Sequence, residues 1–422
     1  MLWKSLNNKK IGIWGMGVEG IAAKRAVEKY VVKPTVLEIT EDNASDVFKC
    51  DVIIKSPGIS LYRDEIRQAR KKGIRITSGT NLFFANKNKT TKVIAVTGTK
   101  GKSTTSALIA HALRSFGFRT ELGGNFGVPL IDLVETDVSF VVAELSSYQC
   151  ADFAGAPDIG VLLNLYPEHL QWHGTHERYY ADKLNMIRQC KSVIANGADK
   201  RTPKLNAALF NVPAGFHVSG NAFCHQSKPL FSTDTLAVIG THNAENACAV
   251  LAVVQSLGLN PERCAGAFAT FKALPHRLQI LGTTKGLTYI DDSISTTPET
   301  AIAALQAIDK GQPITIIIGG QDRGQDYAAL SRFLVKHKKR MRVVTLPDTG
   351  KRIKSRALKI IRAKTMAEAV KAAQKITPKG GTVLLSPAAP SYNMFRNFEE
   401  RGAAFRKYAF VQRNMLLSSF YK

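Results

Sequence analysis

Three times along this chain a short apolar run ends in a glycine-bearing turn. The runs are Ile11–Trp14 before Gly15-Met16-Gly17-Val18-Glu19-Gly20, Val93–Val96 before Thr97 and the loop Gly98-Thr99-Lys100-Gly101-Lys102-Ser103, and Ile314–Ile318 before Gly319-Gly320. A run without polar alternation reads as a strand covered on both faces, the pattern of parallel sheets. Strands alternating with helical segments imply doubly wound α/β folds, with ligands at the carboxyl ends of the strands. At roughly 150 residues per domain, 422 residues suit about three domains. The expected architecture is a Rossmann-like domain over 1–88, a central P-loop ATPase domain over 89–275 and a Rossmann-like C-terminal domain over 276–422. The polar stretch Asn86–Lys92 reads as the first linker.

Composition removes several alternatives. No apolar run reaches the ~20 residues of a membrane helix. The polar first ten residues pass straight into a strand without a secretory leader, so a cytoplasmic protein without a membrane span is expected. Six cysteines stand apart, with no C-x-x-C pair, which fits a reducing compartment. The net charge is +25. Its lysines and arginines are spread along the chain without an RNA-binding signature or a Cys/His finger, so nucleic acid is not expected, and the charge fits either anionic small substrates or only a basic proteome.

The loop at 98–103 carries the sharpest chemistry. Glycines let backbone N–H groups converge on phosphate, and the following helix adds positive potential. Lys102 can reach the β/γ-phosphates and the Ser103 hydroxyl can ligate Mg²⁺, although the spacing is two residues shorter than the usual P-loop. Gly98, Thr99, Lys100, Gly101 and Thr104 complete this expected ATP site. Glu144 ends the apolar strand Phe140–Ala143, a natural place for a magnesium ligand. Gly15-x-Gly17-x-x-Gly20, with Glu38 ending the next strand, has the form of a dinucleotide or nucleotide-diphosphate turn. His169, His173 and His176 lie close together, but no cysteine or second cluster completes a zinc site. Arg277 suits phosphate and Asp292 suits ribose or magnesium. Ser391 precedes an expected helix from Tyr392, where it would cap the helix or offer its N-terminus to a carboxylate.

Together these segments resemble the Mur ligases over essentially the whole chain, nearest to the branch that joins glutamate to UDP-N-acetylmuramoyl-L-alanine. The resemblance rests on VTGTKGKSTT (96–105), GGNFG (123–127), AELSSYQ (143–149), NLYPEHLQWHG (164–174), Lys183, HNAENA (242–247), LPHR (274–277), DDS (291–293) and LLSPAAPSYNMFRNFEERG (384–402). It implies an ATP-dependent ligase working through an acyl phosphate, monomeric, with a third domain that closes over the substrates. Lys102, Lys183 and His169 would be catalytic. Ser103, Glu144, His169 and Lys183 would serve two Mg²⁺ ions, with Lys183 carbamylated. Asn243, Asn246, Arg277 and Asp292 would hold ATP. Gly17, Val18, Glu38, Ser56, Gly58, Asn125 and Ser147 would contact the UDP substrate, and Ser391 and Phe395 the glutamate carboxylate.

Two positions depart from the common glutamate-adding pattern. Ile294 follows Ser293, and Arg323 follows Gly319-Gly320-Gln321-Asp322, where relatives carry lysines. Arg323 is the expected cation for the glutamate side chain, and the segment Ile294–Pro298 resembles a variant branch that adds L-glutamate. At this point D- and L-glutamate both stay open. A folylpolyglutamate synthase-like ligase shares the ATP domain but lacks a separate first domain. A dehydrogenase built on Gly15–Gly20 would not need Lys102, Glu144 or Lys183, and a nucleic-acid-binding ATPase would depend on DNA or RNA.

Overall fold

A computed structural model describes residues 1–166 and 168–410. The chain divides into two compact units, one of Met1–Leu236 with His242–Phe271, the other of Ala237–Thr241 with Lys272 onward.

The first unit opens with a parallel sheet of β1 (Lys10–Trp14), β2 (Thr35–Ile39), β3 (Val52–Lys55) and β4 (Arg75–Ser78), in the order β2-β1-β3-β4. Helices α1 (Val18–Tyr30), α2 (Asp64–Lys71) and α3 (Gly79–Asn86) connect and follow its strands. Ala22, Ala23, Ala26 and Val27 put one apolar stripe of α1 into the core. Ser78 starts α3 by accepting the Asn81 N–H. The expected linker shrinks to five residues, because Asn86 ends α3 and Lys92 opens the next strand.

The second sheet of this unit begins with β5 (Lys92–Thr97), α4 (Lys102–Ser115), β6 (Thr120–Gly124) and β7 (Phe140–Glu144). It continues through α5 (Ser147–Ala151), β8 (Ile159–Leu162), α6 (Leu170–His173), α7 (His176–Ile187) and β9 (Ser192–Asn196). The strands β10 (Ala208–Phe210), β11 (Phe216–Ser219), β12 (Ala222–His225) and β13 (Lys228–Ser232) extend it, and α8 (Thr241–Ser256) and α9 (Cys264–Thr270) follow. The order is β13-β12-β11-β10-β9-β8-β5-β7-β6, antiparallel only at β11/β12 and β12/β13. β5 lies between β7 and β8, so the connections leave it in opposite directions. Its carboxyl end is a topological switch point, where such sheets bind ligands. One apolar cluster runs from Ile11, Ile13 and Phe83 to Val93, Ala95, Val141 and Ala143, which joins the two sheets into one body.

The second unit holds β14 (Gln279–Thr284), β15 (Leu287–Asp291), α10 (Pro298–Ile308), β16 (Ile314–Gly320), α11 (Ala328–Lys336), β17 (Met341–Asp348), β18 (Ile360–Arg362), α12 (Met366–Ile376), β19 (Thr382–Leu385) and α13 (Phe398–Ala409). Its sheet runs β14-β15-β19-β16-β17-β18, with only β14 antiparallel. Ile314, Ile316 and Ile318 face one apolar cluster and Ile317 the other, as period-2 alternation between two covered faces requires. The helix expected from Tyr392 starts instead at Phe398. Its cap is Asn397, which accepts the Glu400 N–H, and Ser391 opens turns that precede it. No helix among the described residues is long and apolar enough to cross a membrane.

Candidate active site

The loop after β5 is a wound turn. Gly98 has φ +152° and Gly101 φ +84°, values that L side chains rarely adopt. Space forbids side chains as well: a Cβ on Gly98 would stand 2.8 Å from Leu163 Cβ, and one on Gly101 2.7 Å from Asn246 Nδ2. Neighbouring strands fix the rest of the loop. The Thr99 N–H donates to Asn164 O at 2.8 Å, and the Lys100 N–H to Asn164 Oδ1 at 2.8 Å. Thr99 Oγ1 bonds Tyr166 O and lies 2.8 Å from Tyr179 Oη. Lys102 Nζ donates back to Thr99 O at 3.0 Å, and Lys100 Nζ pairs with Glu168 Oε1 at 2.5 Å. Ser103 is buried at the head of α4, with Thr104 beside it. Asn243 and Asn246 lie three residues apart on α8, so both share the face turned to this loop.

Two buried groups back the loop. Glu144 ends β7, beside the end of β5, and is 1% exposed. Its Oε1 accepts from Asn125 Nδ2 at 2.7 Å, and its Oε2 is buried without a hydrogen-bond partner. A buried carboxylate oxygen left unpaired is costly, and a cation removes that cost. Lys183 on α7 is 2% exposed, and its Nζ donates to Gly98 O at 2.7 Å. Burial, and next the nearby Lys102 charge, push its amine down to about 7. His169 adopts φ +55° at the start of α6; partial burial lowers its imidazole pKa, and its ring lies 5.2 Å from that of Tyr148. Among the described residues no three His, Cys, Asp or Glu side chains form a metal cage. The unpaired oxygen of Glu144 suits Mg²⁺, which takes one or two carboxylates and fills its sphere with phosphate and water.

The first-sheet turn is built in the same manner. Gly15 has φ +89°, and Ser56 Oγ donates to Gly15 O at 2.5 Å. Gly17 and Val18 are exposed at the start of α1, while Glu38 is held by Lys24 at 2.6 Å. Gly58 O accepts from Trp172 Nε1 at 3.1 Å, and Ser147 is buried at the first turn of α5.

In the second unit, Asp292 ends buried beside β19. Ser386 Oγ donates to its Oδ2 at 2.8 Å, and burial raises its carboxyl to about 7. Arg277 precedes Leu278, whose N–H reaches Asp292 Oδ1 at 3.3 Å. Arg323 is exposed, with its guanidinium 5.9 Å from the Tyr392 ring, which brings it to the Ser391 turn. Ser391 is buried and its carbonyl accepts the Phe395 N–H at 3.0 Å, while the Phe395 ring packs into the core. Ile294 is half-buried next to this segment's anchor, Ser293.

Sequence reading missed Arg401. It is buried on α13, donates to Ser293 Oγ, Ser293 O and Ala389 O, and is lowered to about 10 by that burial. The available signal was the pair Arg401-Gly402 inside the apolar stripe of α13. A Cβ at 402 would collide with His276, whose Nδ1 lies 2.7 Å from Asp291 Oδ2.

A strand, a glycine loop and a helix at a switch point, backed by an unpaired carboxylate oxygen and a buried amine, have the form that suits a nucleoside triphosphate in an α/β protein. Comparison with known proteins agrees. Residues 96–254 match the Mur ligase middle domain and residues 276–389 the glutamate ligase domain of Mur ligases. A UDP-N-acetylmuramoyl-L-alanine–L-glutamate ligase of a Micromonospora species is 36% identical over 96% of this chain and 97% of its own. One of the same name from Salinispora tropica is 37% identical over 96% and 98%. In fold, the chain resembles the UDP-N-acetylmuramate-alanine ligase of Thermotoga maritima (TM-score 0.61, 21% identity, 94% of this chain and 98% of that one). It also resembles the MurF ligase of Thermotoga maritima in complex with ADP (TM-score 0.59, 18% identity, 94% of each). The chain belongs to the Mur ligase family. It is an ATP-dependent ligase of a family that uses Mg²⁺.

Proposed function

We propose that this chain joins L-glutamate to UDP-N-acetylmuramoyl-L-alanine, forming an acyl phosphate on the way, in the assembly of peptidoglycan precursors. The phosphate loop, held at Gly98 O by the buried Lys183, with the unpaired Glu144 oxygen at the end of the neighbouring strand β7, is the observation that carries the ligase chemistry. The name shared by relatives that cover nearly the whole chain supports the L-enantiomer.

In the first step a carboxylate oxygen of the alanine attacks the γ-phosphorus, and the bond to the ADP oxygen breaks. In the second the glutamate nitrogen attacks the acyl carbon, phosphate leaves with the bonding pair, and the nitrogen loses a proton. Two anions must meet in the first step, so Lys102 and the N–H groups of 98–103 neutralise the β/γ-phosphates. Ser103, Glu144, His169 and a carbamylated Lys183 would hold two Mg²⁺ ions, which screen the approaching oxygens when bound. A lysine must be neutral to add CO₂, and burial that lowers Lys183 to about 7 supports this modification.

The nucleotide half of the acyl substrate falls to Gly17, Val18, Glu38, Ser56 and Gly58, and its acyl end to Asn125 and Ser147. ATP falls to Asn243, Asn246, Arg277 and Asp292. Arg323, standing by Tyr392, supports a glutamate pocket with Ser391 and the turn at Phe395. On this reading the work divides among 1–88, 89–275 and 276–422, in a monomer acting on water-soluble nucleotide precursors in the cytoplasm. The test is ADP release by the purified protein given UDP-N-acetylmuramoyl-L-alanine and one glutamate enantiomer at a time. Turnover with L-glutamate well above that with D-glutamate is expected; a preference for the D-form, or no dependence on the acyl substrate, rejects the reading.

A further inference from the structure

A chain of four buried or half-buried side chains crosses the first unit. Tyr62, in the loop after β3, donates its hydroxyl to Asp182 Oδ1 at 2.6 Å. His173 Nδ1 lies 2.5 Å from Asp182 Oδ2, and His173 Nε2 lies 3.0 Å from Ser147 Oγ. His173 is fully buried, and Ser147 and Asp182 are nearly so. Each direction follows from the one before it. An ionised carboxylate only accepts, so the Tyr62 O–H and the His173 Nδ1–H both point at Asp182. In a neutral ring His173 Nε2 then carries a lone pair, and the hydrogen that meets it is the Ser147 hydroxyl's. With its hydrogen committed, Ser147 has only lone pairs left for a ligand.

We propose that this chain fixes the Ser147 hydroxyl as an acceptor for the amide N–H of an N-acyl amino acid substrate, which makes His173 a positioning residue for ligation. The idea rests on the proposed reading that the acyl substrate reaches Ser147. An N-acyl amino acid carries its one N–H two bonds from the reacting carboxyl carbon. An acceptor set there holds the carboxylate in register for attack while offering it no competing donor. Surrounding contacts hold the chain rigid. Trp172 stacks on Tyr148 at 4.7 Å, Ser60 Oγ donates to Trp172 O at 2.9 Å, and Arg178 lies 4.4 Å over the Tyr62 ring while donating to His173 O. Asp182 precedes Lys183 on α7, so one helix carries both the anchor of this chain and the amine beside the phosphate loop.

The test uses full-length protein and three variants: His173→Asn, which keeps a donor near Asp182 but has no atom at Nε2, Ser147→Ala, and the double variant. Each single change is expected to lower kcat/KM for UDP-N-acetylmuramoyl-L-alanine at least roughly tenfold with the ATP KM within about twofold, and the double variant to fall no further than Ser147→Ala. A substrate analogue with an ester oxygen in place of the amide N–H is expected to be poor for the wild type and to cost Ser147→Ala nothing more. Additive losses, or an ester penalty that persists in Ser147→Ala, overturn the proposal. Nitrogen-15 NMR of the histidine-labelled, substrate-free protein at pH 8 reads the chain without turnover: a neutral His173 protonated at Nδ1 is expected, and an Nε2-protonated or doubly protonated ring overturns it. Absence of any turnover with this acyl substrate in the wild type would instead reject the functional reading, and the NMR result would still stand or fall alone.

Discussion

Lys183 gives the most direct check on the chemistry. An ordinary lysine with pKa near 10.5 is neutral in about 0.1% of molecules at pH 7.5, whereas an amine lowered to about 7 is neutral in about three quarters of them. The reactive form is therefore enriched by about two to three orders of magnitude, because burial and then the nearby Lys102 charge disfavour the ammonium. Exposure of the purified protein to ¹³C-bicarbonate at pH 7.5 is expected to produce one carbamate carbonyl resonance that Lys183→Arg lacks. Carbamylation needs the deprotonated amine, so the signal should grow as pH rises through about 7 rather than near 10.5. Lys183→Ala is expected to be nearly inactive and to recover part of its rate with added short carboxylates, which would fill the place of the proposed carbamate as a magnesium ligand. A wild-type spectrum without the resonance, or one that Lys183→Arg retains, would refute the reasoning even if the variant were inactive.

Gly101→Ala forces a Cβ against the Asn246 side chain at φ +84°, so the ATP KM is expected to rise at least roughly tenfold while the circular dichroism spectrum stays native; an unchanged KM would remove the loop from the ATP site. Arg323→Ala should raise the KM for L-glutamate at least roughly tenfold, about 1.4 kcal/mol, and a smaller change would show that Arg323 does not hold the side-chain carboxylate. Burial, with Asp132 nearby, raises Glu19 from 4.5 to about 7, so the folded chain keeps a proton that the unfolded chain releases between those values, and stability falls as pH climbs through that window. Glu19→Gln should accordingly stabilise the protein by ~2–3 kcal/mol at pH 8 and by less than about 1 kcal/mol at pH 5, read by urea denaturation; equal gains at both pH values would count against a buried, ionised Glu19.

The parts of this molecule legible in its sequence are those whose reason is local. Gly98 and Gly101 stand out because a loop that winds through φ +152° and +84° under neighbouring chain has room for no other residue, and the strand and helix around it follow from short apolar periods. At α13 the sequence offers two caps, Ser391 before Tyr392 and Asn397 before Phe398, and the helix starts at the second, where the Asn397 side chain accepts the Glu400 N–H. The two-stranded antiparallel extension at β12 and β13 left no strong motif, since its strands are four and five residues long and half-exposed. What local pattern could not supply was partnership across distance. Asn125 needs Glu144, Arg401 reaches back 108 residues to Ser293, and Tyr62 meets Asp182 across 120. His173 shows the consequence most clearly. Its spacing from His169 and His176 completes no zinc site and assigns it no other role, whereas the fold buries it between a carboxylate and a serine. A histidine's role is set by what its second nitrogen touches, and that touch comes from a serine 26 residues away in the first turn of α5.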